Sequence, residues 1–244
     1  MDWLAASVGA AAVFTAYAIF AIAAFGTALV AAPVLAQVMP VAKVVPLLSL
    51  LDLLAAASSF LRLRRNVSRA ELVRLVPFLV VGAAGGAYAL LVLPAKLMML
   101  ALGLFVALYG LRGLFHSGEP GVLSQRWAPV FGLVGGLLGG MFGTGGFIYA
   151  MYLSRRLDAE AMRATQGALI TLSSSIRVTV FAIAGVYSDT AMLLLFALLL
   201  PVMALGLLAG HRVRLRPSRA QFLRFLHLLL AASGGALAWR ALMM

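Results

Sequence analysis

The sequence predicts an all-α integral membrane protein made of two inverted repeats, each a re-entrant or broken helix hairpin followed by three membrane-spanning helices. Three observations predict it. The chain is 64% hydrophobic and only 11% charged, where a soluble domain carries about 25% charged residues. Apolar runs of about twenty residues, the length that crosses a hydrocarbon core, recur along the whole of it. The tripeptide Phe-Gly-Thr twice interrupts this pattern, in "AFGTALVAAP" (24–33) and in "MFGTGGFIYA" (141–150).

The apolar segments are 3–24, 28–39, 43–61, 74–93, 96–115, 128–142, 147–153, 163–183, 190–211 and 219–240. Segment 3–24 is long enough to span, although 11–25 is the counterpart of 128–142 by position, which makes 3–10 an extension. No Lys or Arg precedes Lys43. The first segment therefore lacks the positive region of a signal peptide and is expected to be retained. Segments 28–39, 128–142 and 147–153 would be about 10–23 Å long as helices, against a core of about 30 Å, so none crosses alone. The polar stretches 62–74, 112–127 and 212–219 read as loops. The expected division is 1–116 for the first repeat, 117–127 for a cytoplasmic linker and 128–244 for the second repeat.

The net charge of +12 does not point to nucleic acid. The basic residues gather at the ends of apolar runs, as they do on cytoplasmic loops. Placing 62–74, 112–127, 154–163 and 212–219 inside accounts for 14 of the 19 basic residues and puts both termini outside, in a multi-pass protein of the inner membrane. Lys43, Lys96 and Arg240 fall elsewhere, and Arg177 and Arg224 lie within helices. Residues 128–153 then begin and end on the cytoplasmic side. They must enter and return, with the tip at Phe142-Gly143-Thr144-Gly145-Gly146, where glycine tolerates the turn. Phe25-Gly26-Thr27 is expected to do the same from outside.

The two Phe-Gly-Thr copies are 117 residues apart, and Pro77, Gly82 and Gly86 match Pro201, Gly206 and Gly210 at a spacing of 124. The loop after the second long segment is basic in the first half (62–74) and bare in the second ("AGVYSD", 184–189). The next loop reverses this, so equivalent loops lie on opposite sides. That is the plan of an inverted repeat, common in secondary transporters. Irregular backbone in a bilayer survives only when shielded or lining a wet cavity. Paired breaks therefore predict a midplane site, with half-helix N-termini that favour an anion. The alternative for Gly135, Gly136, Gly139 and Gly140 is that they merely let helices pack closely.

Charged groups inside the membrane are costly and so carry information. Gln166, Ile170, Ser173 and Arg177 share one helical face, a stripe that suits an anion cavity. Arg177 is equally suited to a structural pairing with Asp52. Ser49, Asp52, Ala56 and Ser59 share another face, where Asp52 either carries a proton or balances Arg177. His227 is a candidate proton carrier or a hydrogen-bonded structural residue, and Arg224 is expected to snorkel. The candidate substrate residues are thus Phe25, Gly26, Thr27, Phe142, Gly143, Thr144, Gly145, Gly146, Gln166, Ser173 and Arg177, with Asp52 and His227 as coupling candidates. There is no cysteine, which excludes disulfides and thiolate metal sites. No His-Glu-x-x-His, Walker loop or nucleophile–base spacing is present. The expectation is a protein that is not an enzyme and needs no cofactor or metal.

In its paired "FGT" motifs, in "GLVGGLLGGMFGTGGF" and in "EAMRATQGALITLSSS", the chain resembles the TauE/SafE sulfite exporter family over essentially its whole length. That family places a Pro a few residues after a Gly-rich turn. Here the first copy keeps Pro33 without a glycine run, and the second keeps the glycines but has "YAMYL" where Pro is usual. The resemblance implies transport of sulfite or a small organosulfonate, coupled to the proton gradient. The competing readings are an anion channel of the same fold, a transporter of another small oxyanion or carboxylate, and an intramembrane enzyme acting on lipid. Partners are a small anion, protons and the bilayer, with oligomerisation left open.

Overall fold

A computed structural model of the protein describes residues 3–115 and 123–212, together with 228, 231–232, 234–236 and 238–243. The described residues form helices α1 (Trp3–Ala23), α2 (Thr27–Leu35), α3 (Val41–Leu63), α4 (Arg69–Val92), α5 (Ala95–Phe115), α6 (Ala128–Phe142), α7 (Gly145–Leu153), α8 (Ala159–Ile183) and α9 (Thr190–Arg212). Residues 238–243 are helical as well. No strand occurs among the described residues. Among the described residues, four helices are long and apolar enough to cross a membrane: Val41–Asn66, Arg69–Val92, Ala159–Ile183 and Thr190–Arg212.

The segments expected to be short are short. Helices α2 and α7 have nine residues each and α6 has 15, while α1 runs unbroken over 21. The stretch 62–74, expected as a loop, is mostly helical. Helix α3 continues to Leu63, a 3-10 turn covers Arg64–Asn66, and α4 starts at Arg69. The physical reason is that Arg and Glu are good helix formers. Arg62 also suits the last turn of α3, and Glu71 the first turn of α4. Helix α8 starts on Asp158, whose carboxylate accepts from the amides of Glu160 and Ala161 at 2.9 Å.

Helix α3 lies along α8, and two glycine-lined seams complete the architecture: α4 lies along α6, and α9 along α1. Both are backbone-close. A Cβ on Gly82 would stand 2.3 Å from the carbonyl oxygen of Leu133, and one on Gly86 2.2 Å from that of Leu137. Across the same seam, Gly136 and Gly140 would meet the carbonyls of Leu79 at 2.6 Å and Ala83 at 2.3 Å. In the other seam, Gly206 and Gly210 press on the carbonyls of Phe14 (2.5 Å) and Ala18 (2.3 Å). Small residues allow this approach, and between lipid-embedded helices it replaces the missing hydrophobic drive with dispersion contact. Gly136 and Gly140 are therefore packing residues. Gly135 and Gly139 lie on another face of α6. There a Cβ would meet the Tyr149 ring at 2.4 Å and the Ser173 hydroxyl at 3.1 Å, respectively.

Candidate functional site

Both breaks are built from backbone conformations that end one helix and start another. After α6, Gly143 takes a left-handed conformation (φ 76°), Thr144 caps, and α7 begins at Gly145. After α1 the left-handed residues are Ala24 (φ 61°) and Gly26 (φ 104°), and α2 begins at Thr27. Two differences from the sequence reading follow. Gly145 and Gly146 lie inside the first turn of α7 rather than in the tip, because Gly143 and Thr144 alone make the reversal. The two Phe-Gly-Thr copies also occupy different places: Phe142 is the last residue of α6, whereas Phe25 follows the end of α1. Ala24, not Gly26, stands where Gly143 does, directly after its helix. A non-glycine residue there costs about 1–2 kcal/mol.

One side chain joins the two breaks. Gln166, on α8, donates its amide N–H groups to the carbonyls of Ala24 (2.9 Å) and Gly146 (3.0 Å). The Phe25 and Phe147 rings meet at a tilt of 52°, centroids 5.9 Å apart, over the same junction. A Cβ on Gly146 would lie 3.4 Å from that of Phe25 and 2.9 Å from the end of the Ile170 side chain. Gly145 has a different neighbour: its Cβ would stand 2.2 Å from the Gly135 carbonyl oxygen, so it is the contact that docks α7 on α6.

Arg177 lies at the centre and is 2% exposed. Its Nη2 donates to Asp52 Oδ2 at 3.3 Å and to Ser174 Oγ at 2.8 Å. The other carboxylate oxygen of Asp52 accepts from the Tyr17 hydroxyl at 2.9 Å. The pairing of Asp52 with Arg177 is therefore present. It does not use up the guanidinium: Nε and Nη1 are buried and have no hydrogen-bond partner among the described residues, and neither has Gln166 Oε1. A Cβ on Gly143 would lie 2.7 Å from Nη1, 3.0 Å from the Ala28 Cβ and 3.5 Å from Asp52 Oδ2. The guanidinium thus rests on the second break, beside the first turn of α2. The leading amides of α2 and α7 have no acceptor within their own helices.

The predicted residues divide accordingly. Phe25, Gly143, Gly146, Gln166, Asp52 and Arg177 come together at this junction. Thr144 turns its hydroxyl to the Leu138 carbonyl (3.2 Å), and Phe142 is buried in the core. Ser173 faces Gly139, and its neighbour Ser174 is the one that holds Arg177. Gly26 and the buried Thr27 begin α2. His227 and Arg224 lie outside the described residues.

Sequence reasoning missed Tyr17 and Ser174. Tyr17 had a readable signal, since a Tyr inside an apolar run needs a partner for its hydroxyl. A second polar cluster also went unread. Glu71, 3% exposed, accepts from Arg74 (2.8 Å), Arg156 (2.9 Å) and the Tyr152 hydroxyl (2.9 Å). Arg156 also donates to the Leu123 carbonyl (2.7 Å), which ties the base of the α6–α7 pair to α4. At the opposite end of the molecule Lys43 pairs with Asp189 at 3.0 Å, and the Tyr187 hydroxyl meets Ser49 at 3.0 Å.

No curated protein and no solved structure matches the chain. A protein-family model does, the one described as "Sulfite exporter TauE/SafE", over residues 9–237. With that match spanning nearly all of this multi-pass helical protein, whose helix breaks converge on a buried arginine, the chain belongs to the TauE/SafE sulfite exporter family.

Proposed function

We propose that the protein is a secondary transporter, working as an exporter, of a small oxyanion, sulfite or an organosulfonate, held where the two breaks meet. The observation that carries this reading is Arg177, buried with Nε and Nη1 unpartnered beside Gly143. A buried donor left unmet costs about 1–3 kcal/mol, and more when charged. An oxyanion at the second break would accept from Nη1, a charge-assisted bond to the guanidinium. The N-termini of α2 and α7 add about half a positive charge each.

On this reading α1–α2 and α6–α7 are the broken hairpins of an inverted repeat. The reciprocal seams, α4 on α6 and α9 on α1, support it, and alternating access is movement between the two halves. The basic helix ends face the cytoplasm, and both termini lie outside. Asp52 is the coupling residue. It neutralises Arg177 in the empty site, and an arriving anion competes with it for the guanidinium. Charge-assisted hydrogen bonds contribute about 1.5–3 kcal/mol, so Arg177→Gln weakens anion binding roughly 10- to 150-fold. Arg177→Lys weakens it less. Uphill sulfite flux driven by a proton gradient in proteoliposomes, with equilibrium binding on the same preparations, tests the reading. An Arg177→Gln, Asp52→Asn double variant with unchanged anion affinity would reject it and leave the pair purely structural.

A further inference from the structure

We infer that a second oxyanion site lies at the basic end of the molecule, in the cavity of about 300 Å³ between the ends of α1, α3, α8 and α9. Arg62, Arg163, His211, Ser58 and Ser59 are among its lining residues, Ala24 is another, and no carboxylate is present. Two features, at Arg62 and Arg163, point to an anion, and a histidine ring lies beside them. Arg62 makes no hydrogen bond or ion pair among the described residues, although Asp158 and Glu160 belong to the same end of the protein. Arg163 spends one N–H on the Ile22 carbonyl (3.2 Å) and keeps its remaining donors. His211 Nδ1 lies 2.6 Å from the Leu207 carbonyl. A carbonyl only accepts, so Nδ1 carries the proton and the neutral ring's Nε2 is an acceptor rather than a donor.

Helix C-termini oppose this charge. Those of α1 and α3 border the cavity and together bring about −1 charge. Two guanidiniums outweigh them, and the terminal carbonyl of Ile22 already accepts from Arg163. The cavity also ends at a meaningful place. Ala24 is the left-handed residue of the first break, and its carbonyl is held by Gln166. A small oxyanion bound here stands one step from the junction at Arg177. The chemistry of this site is independent of the midplane one, but its role as the loading vestibule rests on the transporter reading above. The same donors would also take the phosphate of a lipid headgroup.

The test uses labelled sulfate as a stable oxyanion probe on the full-length protein in phosphatidylcholine nanodiscs. Bound sulfate per chain is counted at equilibrium. Two sulfates are expected at saturation, and Arg177→Gln removes one. In that background Arg62→Gln weakens the remaining site about tenfold, the loss of one charge-assisted bond. Arg62→Lys weakens it less, which separates lost charge from lost folding. If phosphatidylglycerol discs abolish the second sulfate, the headgroup is the occupant; if they leave it, the free anion is. A single sulfate per chain, unchanged by Arg62→Gln and by Arg163→Gln, would overturn the vestibule. Two sulfates that both survive Arg177→Gln would overturn the midplane reading and leave the vestibule standing.

Discussion

Gly86→Ala and Gly85→Ala differ by one position on α4 and by opposite signs in expected stability. A Cβ on Gly86 would stand 2.2 Å from the Leu137 carbonyl oxygen and 2.9 Å from the Met141 nitrogen, both backbone atoms of α6. An ordinary carbon–oxygen contact is about 3.3–3.6 Å, so α4 and α6 must part by roughly 1 Å. A gap of that size forfeits a quarter to a half of the dispersion energy along the seam. Helix propensity returns about 1 kcal/mol for Gly to Ala, and overpacking costs about 1–3 kcal/mol. With backbone on both sides the upper end applies, giving a net loss of about 2 kcal/mol. At Gly85 nothing lies within 4 Å, so the propensity gain of up to about 1 kcal/mol stands alone. Reversible unfolding of the detergent-solubilised variants, followed by tryptophan fluorescence, should therefore separate them by about 3 kcal/mol. The same scan on α9 predicts that Gly210→Ala, 2.3 Å from the Ala18 carbonyl, behaves like Gly86→Ala. Equal stability of the Gly85 and Gly86 variants would refute the backbone-contact account of the seam.

Gly143→Ala adds about 1–2 kcal/mol of left-handed strain and places a methyl 2.7 Å from Arg177 Nη1. It should insert and fold yet lose anion binding, and a variant with parental affinity in the nanodisc assay would show that Arg177 does not receive the anion there. Gly145→Ala, against the Gly135 backbone, should disrupt folding, whereas Gly146→Ala meets the flexible end of Ile170 and should be tolerated; size-exclusion profiles decide between them. The hydrogen bond and charge of Lys43, with the Ala191 amide, hold the Asp189 carboxyl below its usual range. A depressed carboxyl contributes stability above its unfolded value near 3.9 and loses it as pH falls through the folded value. Spin labels placed on α3 and α9 near Lys43 and Asp189 should thus report an unchanged distance from neutral pH to about 4. A link that opens between pH 7 and 5 would contradict this assignment.

How much of the site was readable depends on whether each feature is local. The Gly-rich tip could be located because a left-handed turn is a property of one or two residues. Which glycine turns and which ones pack could not. Gly143 and Gly145 are two apart, and the left-handed backbone of the one and the approach of the other to Gly135 distinguish them. The stripe Gln166, Ile170, Ser173 and Arg177 was visible as helical spacing, and all four residues are buried. Its contents were less legible. Ser174 holds Arg177 because the guanidinium reaches back one turn to meet it, and the face pattern gives Ser173 and Ser174 similar standing.

By itself the sequence determined the membrane class, the helical content and the presence of two helix breaks around Phe-Gly-Thr. Hydropathy and backbone conformation act over a few residues, and lipid leaves the backbone no alternative to internal hydrogen bonding. The tertiary structure decided the rest. Asp52 finds Arg177 across 125 positions, and Gln166 reaches Ala24 across 142. Only the folded packing shows that the guanidinium keeps two donors unmet. Such pairings are settled by which helices lie side by side and at what depth, and no short-range spacing in the chain encodes that.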